Sequence, residues 1–327
     1  MKLRQLAVFG LALVWIFSAR GVDAQEKRSE TIRVKASMPG VAVSFSPIEL
    51  GRQKGIYREE GIDLELIVIR ANVALAALVT GELDYILGFG SPNRAAARGM
   101  AIKLIAAVDT RPVWFLIVRP EIKSVADLRG KRIGVGSIKG SIQLAAAVAL
   151  EQQGISTKEI AWISVGATPA RLQAMESGAI DAAVVALPGN ITGRKMGFRE
   201  LMDVGEVAPT PTVGLVVSEK KLAERPQEVK KMIRATIRSS RYFLGNKKEA
   251  VDFISKRFNF TPDQAWAVYD QQASALSPDG QINEKGILLD LQFAREAGEK
   301  IGDISLSKIM DTRLLQEVQR GLGQYKN

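Results

Sequence analysis

Two successive sets of short apolar segments alternating with helix-patterned segments, followed by a C-terminal part that is helical, constrain this chain more than any other feature. In the first set, residues 32–36 and 63–69 alternate apolar and polar side chains as half-buried strands do. Residues 85–87, 103–108 and 114–118 are short apolar runs, and the segments 47–60, 73–80 and 93–98 between these strands carry helical spacing. The second set repeats the scheme, with strands at 131–135, 161–165 and 182–185 and helices at 140–153, 169–177 and 192–196. One more strand-like run, 213–217, precedes helices beginning near Pro226 and Pro262 and covering 284–300 and 311–322. Such alternation implies parallel sheets flanked by helices. The expected fold class is therefore α/β with two lobes, each a mostly parallel sheet flanked by helices. The later helices are expected to cover the first lobe, because no third set of strands follows.

A short internal echo supports two related lobes. Leu78-Val79-Thr80-Gly81-Glu82-Leu83-Asp84 and Met175-Glu176-Ser177-Gly178-Ala179-Ile180-Asp181 both place Gly and Asp three apart, between a helix and an apolar strand. Gly can close the helix in a left-handed conformation, and Asp can accept from amides at the entrance of the strand.

The N-terminus reads as a secretory leader. Lys2 and Arg4 precede an apolar run from Leu6 to Phe17, and Val22-Asp23-Ala24 supplies a small-x-small cleavage site. The apolar run is about twelve residues, against about twenty needed to span a bilayer. Residues 1–24 are thus expected to be removed, and the exported protein is expected to have no membrane span. The net charge of +10 is scattered among carboxylates, with no basic stripe interleaved with aromatics. This disfavours nucleic acid as a partner and suits mild attraction for anionic solutes. The chain has no Cys and no His. That excludes disulfides, thiol nucleophiles, imidazole bases, Ser-His-Asp triads and His/Cys metal sites. No cofactor or metal is expected.

Three further segments carry a resemblance. Ser46-Pro47-Ile48-Glu49-Leu50-Gly51-Arg52-Gln53-Lys54-Gly55-Ile56-Tyr57 continues through Glu60-Gly61-Ile62-Asp63-Leu64-Glu65; Leu78 to Tyr85 follows; and Val125-Ala126-Asp127-Leu128-Arg129-Gly130-Lys131-Arg132-Ile133-Gly134-Val135 completes the series. In this order and spacing they resemble the periplasmic substrate-binding proteins of ABC importers, in the nitrate/sulfonate/taurine-type and thiamine-precursor-type group. The resemblance implies a type II periplasmic binding fold with two crossover strands, near Arg119 and Val213–Ser218. It places lobe 1 at 30–118 plus 218–327 and lobe 2 at 119–217. It also implies a monomer that captures a small ligand, an anionic organic or sulfonate-like one, by closure of the lobes and delivers it to an ABC permease. An extracellular sensing role would share every feature, and an enzyme on the same scaffold would have to use Asp or Lys chemistry. The group's thiamine-pyrimidine synthases depend on histidine and a cysteine-rich segment, which this chain lacks.

Open α/β sheets take ligands beyond the carboxyl ends of their strands. That rule selects Met38 and Pro39 after the first strand, Gly88, Phe89, Gly90 and Ser91 after the third, and Thr110, Arg111 and Trp114 after the fourth. In the second lobe it selects Ser137, Lys139, Gly140 and Ser141, then Leu187 and Pro188. Phe45 is a third aromatic candidate for the cleft. The Gly- and Ser-rich turn at 136–141 precedes a helix, a setting that favours an anion; it equally suits an ordinary strand-to-helix turn with Ser as cap.

Overall fold

In the computed structural model, which describes residues 31–296, 298–302 and 305–325, the two sets of strands build two separate five-stranded sheets. The leader expected at 1–24 lies outside the described residues. The strands are β1 Ile32–Met38, β2 Ile62–Val68, β3 Tyr85–Ile86, β4 Ile102–Ala107, β5 Trp114–Val118, β6 Arg132–Val135, β7 Ala161–Ser164, β8 Ala182–Ala186, β9 Arg199–Asp203 and β10 Gly214–Ser218. The first sheet runs β2-β1-β3-β10-β4 and the second β7-β6-β8-β5-β9. Strand β10 lies antiparallel between β3 and β4, and β5 lies antiparallel between β8 and β9. Each sheet therefore receives one reversed strand straight from a crossing of the chain. The result is a two-lobed α/β architecture with two mixed sheets.

The crossings are residues 108–113 and 208–213, and this moves both expected boundaries. Trp114–Val118 belongs by pairing to the second sheet, not to the first lobe, and Arg119 follows β5 at its far end. Gly214–Ser218 is a full strand of the first sheet and not a free hinge. An apolar run of five residues suits a central position in either sheet, and its own sequence does not say which partners it will find. Strand β9 was not foreseen, because Arg199-Glu200-Leu201-Met202-Asp203 is too polar to stand out. The helix expected over 47–60 is two, Ser46–Gln53 and Ile56–Glu59. Helix Ala71–Thr80, with Arg70 as its N-cap, starts two residues before the expected segment 73–80.

Burial groups the helices around the two sheets. Val34, Ala36, Tyr85, Leu215 and Val217 share one core with Ile48 and with Val229, Met232, Ile233, Ile237 and Phe243 of helix Pro226–Gly245. Val251, Ile254, Val268 and Leu315 bring three later helices into the same core. A second core joins Leu116, Val118, Ile133, Val135 and Val184 to Leu144, Val148 and Leu150 of helix Ser141–Gln152. Helix Glu284–Glu296 departs from the pattern. Its Ile287, Leu291 and Ala294 pack with β3–β4 side chains, whereas Phe293 enters the second core, so this helix touches both lobes.

The Gly-Asp echo is a repeated structural device. Gly81 and Gly178 take φ of +84° and +75°, where a side chain is strained. The following aspartates then reach a neighbouring strand: Asp84 Oδ2 accepts from Lys35 N at 2.8 Å, and Asp181 Oδ2 from Arg132 N at 2.9 Å. A basic side chain completes each, Lys221 on Asp84 and Arg132 on Asp181. Hydrogen bonds from the Arg132 side chain hold the Asp181 carboxyl below its ordinary range. Asp84→Ala and Asp181→Ala are each expected to lower unfolding free energy by about 1–3 kcal/mol, by orphaning a strand amide. Because the two sites lie in different sheets, the double variant should show the sum within about 0.5 kcal/mol in urea melts.

Candidate functional site

Parallel strands bring their C-terminal ends, and the helices that follow, to one edge of a sheet. Here the edges of both sheets border a cavity of about 220 Å³. The first sheet contributes Ser37 and Pro39 at the end of β1 and residues 88–92 after β3. The second contributes Trp114, which opens β5, and Ser141, which opens the helix after β6. Thr210, Pro211 and Thr212 of the return crossing line it as well, with Ile69, Ala71, Ala74, Ile86 and Asp290. Most of this wall is hydrocarbon, with hydroxyls at Ser37, Ser91, Ser141, Thr210 and Thr212.

Two wall residues show how the fold prepares the space. The Phe89 ring lies directly on β10, where a Cβ added to Gly214 would come 2.2 Å from Phe89 Cζ, and its amide donates to Thr212 O at 2.9 Å. Gly214 thus permits the ring to serve as fixed wall and not as a mobile stacking platform. Ser37 is buried, and its Oγ has no hydrogen-bond partner among the described residues. Such an orphaned hydroxyl costs about 1–3 kcal/mol, which a bound polar group relieves.

The lobes meet across this cavity through Arg94. Its Nη2 donates to Ser141 Oγ at 3.3 Å and pairs with Asp290 at 2.9 Å, while Nη1 faces Glu299 at 3.3 Å. One guanidinium between two carboxylates leaves no surplus positive charge there.

Of the residues selected from sequence, Pro39, Gly88, Phe89, Gly90, Ser91, Trp114 and Ser141 come together on the cavity wall. The others do not. Met38 and Phe45 are buried in the first core, because β1 and the turn after it point them inward. Thr110 donates to Ala275 O and opens onto a separate groove of about 800 Å³ with Asn283 and Gln319. Arg111 is consumed by Asp203 at 3.3 Å and Glu206 at 2.7 Å, and it also donates to Ser274. Ser137 and Lys139 are exposed on the turn, with the Lys139 amide donating to Gln143 Oε1, and neither they nor Gly140 border the cavity. Leu187 packs on apolar side chains and Pro188 precedes helix Gly189–Lys195, both outside the wall. Sequence reading missed Thr210, Pro211, Thr212 and Asp290, which reach the cavity from segments far along the chain. For the first three, the run Pro209-Thr210-Pro211-Thr212 is the sequence signal, since alternating prolines mark irregular backbone.

Behind the cavity the two crossings are clasped by Asp109, which is 1% exposed. Its Oδ1 accepts from Thr212 N at 2.7 Å and Val213 N at 3.0 Å, and its Oδ2 accepts from Thr212 Oγ1 at 2.6 Å. Asn283 Nδ2 ties the crossings a second time, donating to Thr110 O at 3.3 Å and Pro209 O at 2.8 Å. Burial pushes the Asp109 carboxyl up to about 7; the three donors and the Arg111 charge oppose that rise without cancelling it.

A family model described as NMT1/THI5 like matches residues 42–250, more than half of the chain. The riboflavin-binding protein RibY of Chloroflexus aurantiacus is 28% identical over 243 residues, covering 72% of this chain and 68% of that protein. Among solved structures, the sulfonate-binding protein SsuA of a sulfonate ABC transporter from Methylobacillus flagellatus superimposes with a TM-score of 0.74. It is 18% identical and covers 90% of this chain and 96% of its own. The fold also carries an enzyme: the desulfurization enzyme DSZB matches with a TM-score of 0.66 at 15% identity, covering 89% of this chain and 99% of that one.

The Asp109 clasp has a defined pH signature. An unfolded aspartate titrates near about 3.9, so the folded chain holds this proton more tightly. The contribution of Asp109 to stability is then full below about pH 4 and is lost as pH rises toward 7. Asp109→Asn keeps an acceptor for both amides and should flatten this decline in urea melts between pH 4 and 8. Asp109→Ala orphans the Thr212 and Val213 amides and should cost about 2–4 kcal/mol throughout.

Proposed function

The chain belongs to the NMT1/THI5-like family, and from that premise we propose that it is an exported solute-binding protein of an ABC importer. It takes a small organic anion, a carboxylate or sulfonate with an apolar body, between its two lobes and presents it to a membrane permease. The observation that carries this reading is the 220 Å³ cavity, which draws its wall from the strand ends of both sheets. A ligand there contacts both lobes at once, and so favours the closed arrangement of the lobes by its differential affinity. The hydrocarbon of Phe89, Trp114, Ile69 and Ile86 suits the body of the ligand, and Ser37 and Ser141 offer hydroxyls.

The leader read from residues 1–24 agrees with export, and no helix among the described residues is long and apolar enough to cross a membrane. No covalent step is required of the protein. The one carboxylate on the cavity wall, Asp290, is held by Arg94, and no lysine lines the cavity.

A melting-temperature screen tests this directly, since a ligand that binds the folded state alone raises Tm by mass action. Benzoate, benzenesulfonate, butanesulfonate, nitrate and their uncharged counterparts serve as probes. At least one is expected to raise Tm in a dose-dependent manner. Trp114→Ala should then weaken that compound about tenfold, equal to about 1.4 kcal/mol, read as the dose-dependent rise above the variant's own ligand-free Tm. A protein shown to be folded and empty that responds to none of these compounds would remove the basis for the reading.

A further inference from the structure

The cavity wall offers a bound anion no free cation, and the nearby Arg94 is neutralised by Asp290 and Glu299. One buried guanidinium elsewhere on the same sheet edge is different. Arg171 is 3% exposed and has no carboxylate partner among the described residues. Its Nη2 donates to Thr168 Oγ1 at 2.8 Å, while Nε and Nη1 are buried with no hydrogen-bond partner among the described residues. Removing a cation from water without an opposing charge is costly, and native proteins seldom leave one so. Burial accordingly pushes this guanidinium down to about 10.

The surroundings have the features of an anion cradle. Arg171 stands in the first turns of helix Thr168–Glu176, and its side chain folds back to the N-terminal residue of that helix. No side chain caps this terminus, so the amides of Thr168 and Ala170 remain available beside the guanidinium. The turn after β6 passes over it with a glycine: a methyl group on Gly136 would lie 4.0 Å from Arg171 Nη1 and 3.7 Å from Gly166 O. The turn after β7 also crosses here with a glycine, Gly166.

Topology places this group at the right edge. Strands β6, β7 and β8 are parallel, so Gly136, Gly166 and Ala186 end at the same side of the second sheet. Trp114 pairs with Ala186 on that side and lines the cavity. Gly136 follows β6, which is two strands from β5 in the order β6-β8-β5. At about 4.8 Å per strand, the Arg171 site therefore stands about 10 Å along the edge from Trp114.

We propose that Arg171, with the Thr168 hydroxyl and the free amides of its helix terminus, anchors the negatively charged head of the solute. The apolar body extends from there toward Trp114. This deepens the proposed function and rests on it: the separation selects an organic anion with an aryl or alkyl tail over a bare ion such as nitrate.

The test uses the melting-temperature series with matched pairs, benzenesulfonate against benzenesulfonamide and benzoate against benzamide, on wild type, Arg171→Met, Arg171→Lys and Thr168→Val. An anion is expected to raise the wild-type Tm more than its uncharged counterpart does. Arg171→Met should weaken the anion about 30-fold or more and leave the uncharged counterpart unchanged, with Arg171→Lys and Thr168→Val in between. The ligand-free Arg171→Met protein should melt at or above wild type, because an unpaired buried charge has been removed. A structural arginine would behave in the opposite way. A ligand-free Arg171→Met protein that melts several degrees lower, or one that binds the anion like wild type, overturns the assignment. If uncharged counterparts bind and no anion does, the anchor is overturned while the cleft reading stands; if no compound of either kind binds, both fall.

Discussion

Asp109 is the point on which the two-lobed arrangement depends, because it makes two separate passages of the chain into one connection. The outgoing crossing at 108–113 and the returning crossing at 208–213 have no helix or sheet of their own to satisfy their backbone groups. One carboxylate takes the Thr212 and Val213 amides and the Thr212 hydroxyl, and Val108 N donates to Val213 O at 2.8 Å. Asn283 repeats the arrangement from the helix side with a neutral amide. Glycines of the helices packed on the crossings permit this close approach: a Cβ on Gly205 would fall 1.9 Å from Pro112 O, and one on Gly286 would fall 2.1 Å from Pro209 O. Whatever motion the lobes make has to be accommodated by this paired segment.

The same crossings build the cavity. Phe89 rests on Gly214 just beyond the return crossing, and Thr210, Pro211 and Thr212 form the floor between the two sheets. The geometry of the site is therefore inseparable from the geometry of the connection. A residue that loosens the clasp also displaces the wall.

Charge is distributed with equal economy. Arg94 and Arg111, both largely buried, are each held by two carboxylates, and they serve the contact between lobes and the back of the crossing. Buried ion pairs of this kind position segments more than they stabilise them, since desolvation offsets most of the Coulombic gain. Arg171 has a guanidinium of the same kind, without the carboxylates. The contrast separates a cation used for architecture from one left available.

Sequence alone determined the class of fold and part of the cavity wall. Period-two and helical spacing located nine of the ten strands, because local alternation records which face of each segment is buried. The Gly-Asp echo marked equivalent positions in both sheets, since each half faces the same local problem of ending a helix and entering a strand. The strand-end rule put Pro39, residues 88–91, Trp114 and Ser141 on the cavity wall for the same reason: those loops follow directly from strand direction. Tertiary structure decided what depends on pairing between distant segments. It assigned Trp114–Val118 to the second sheet, turned Met38 and Phe45 inward, and gave Arg111 to Asp203 and Glu206. It also brought Asp290 and Thr210 into the cavity from far along the chain. The side chain of an arginine reads identically whether two carboxylates meet it or none does. Only the packed chain distinguishes Arg111 from Arg171, because the partners of a charge are chosen by contacts across the fold and not by its neighbours in sequence.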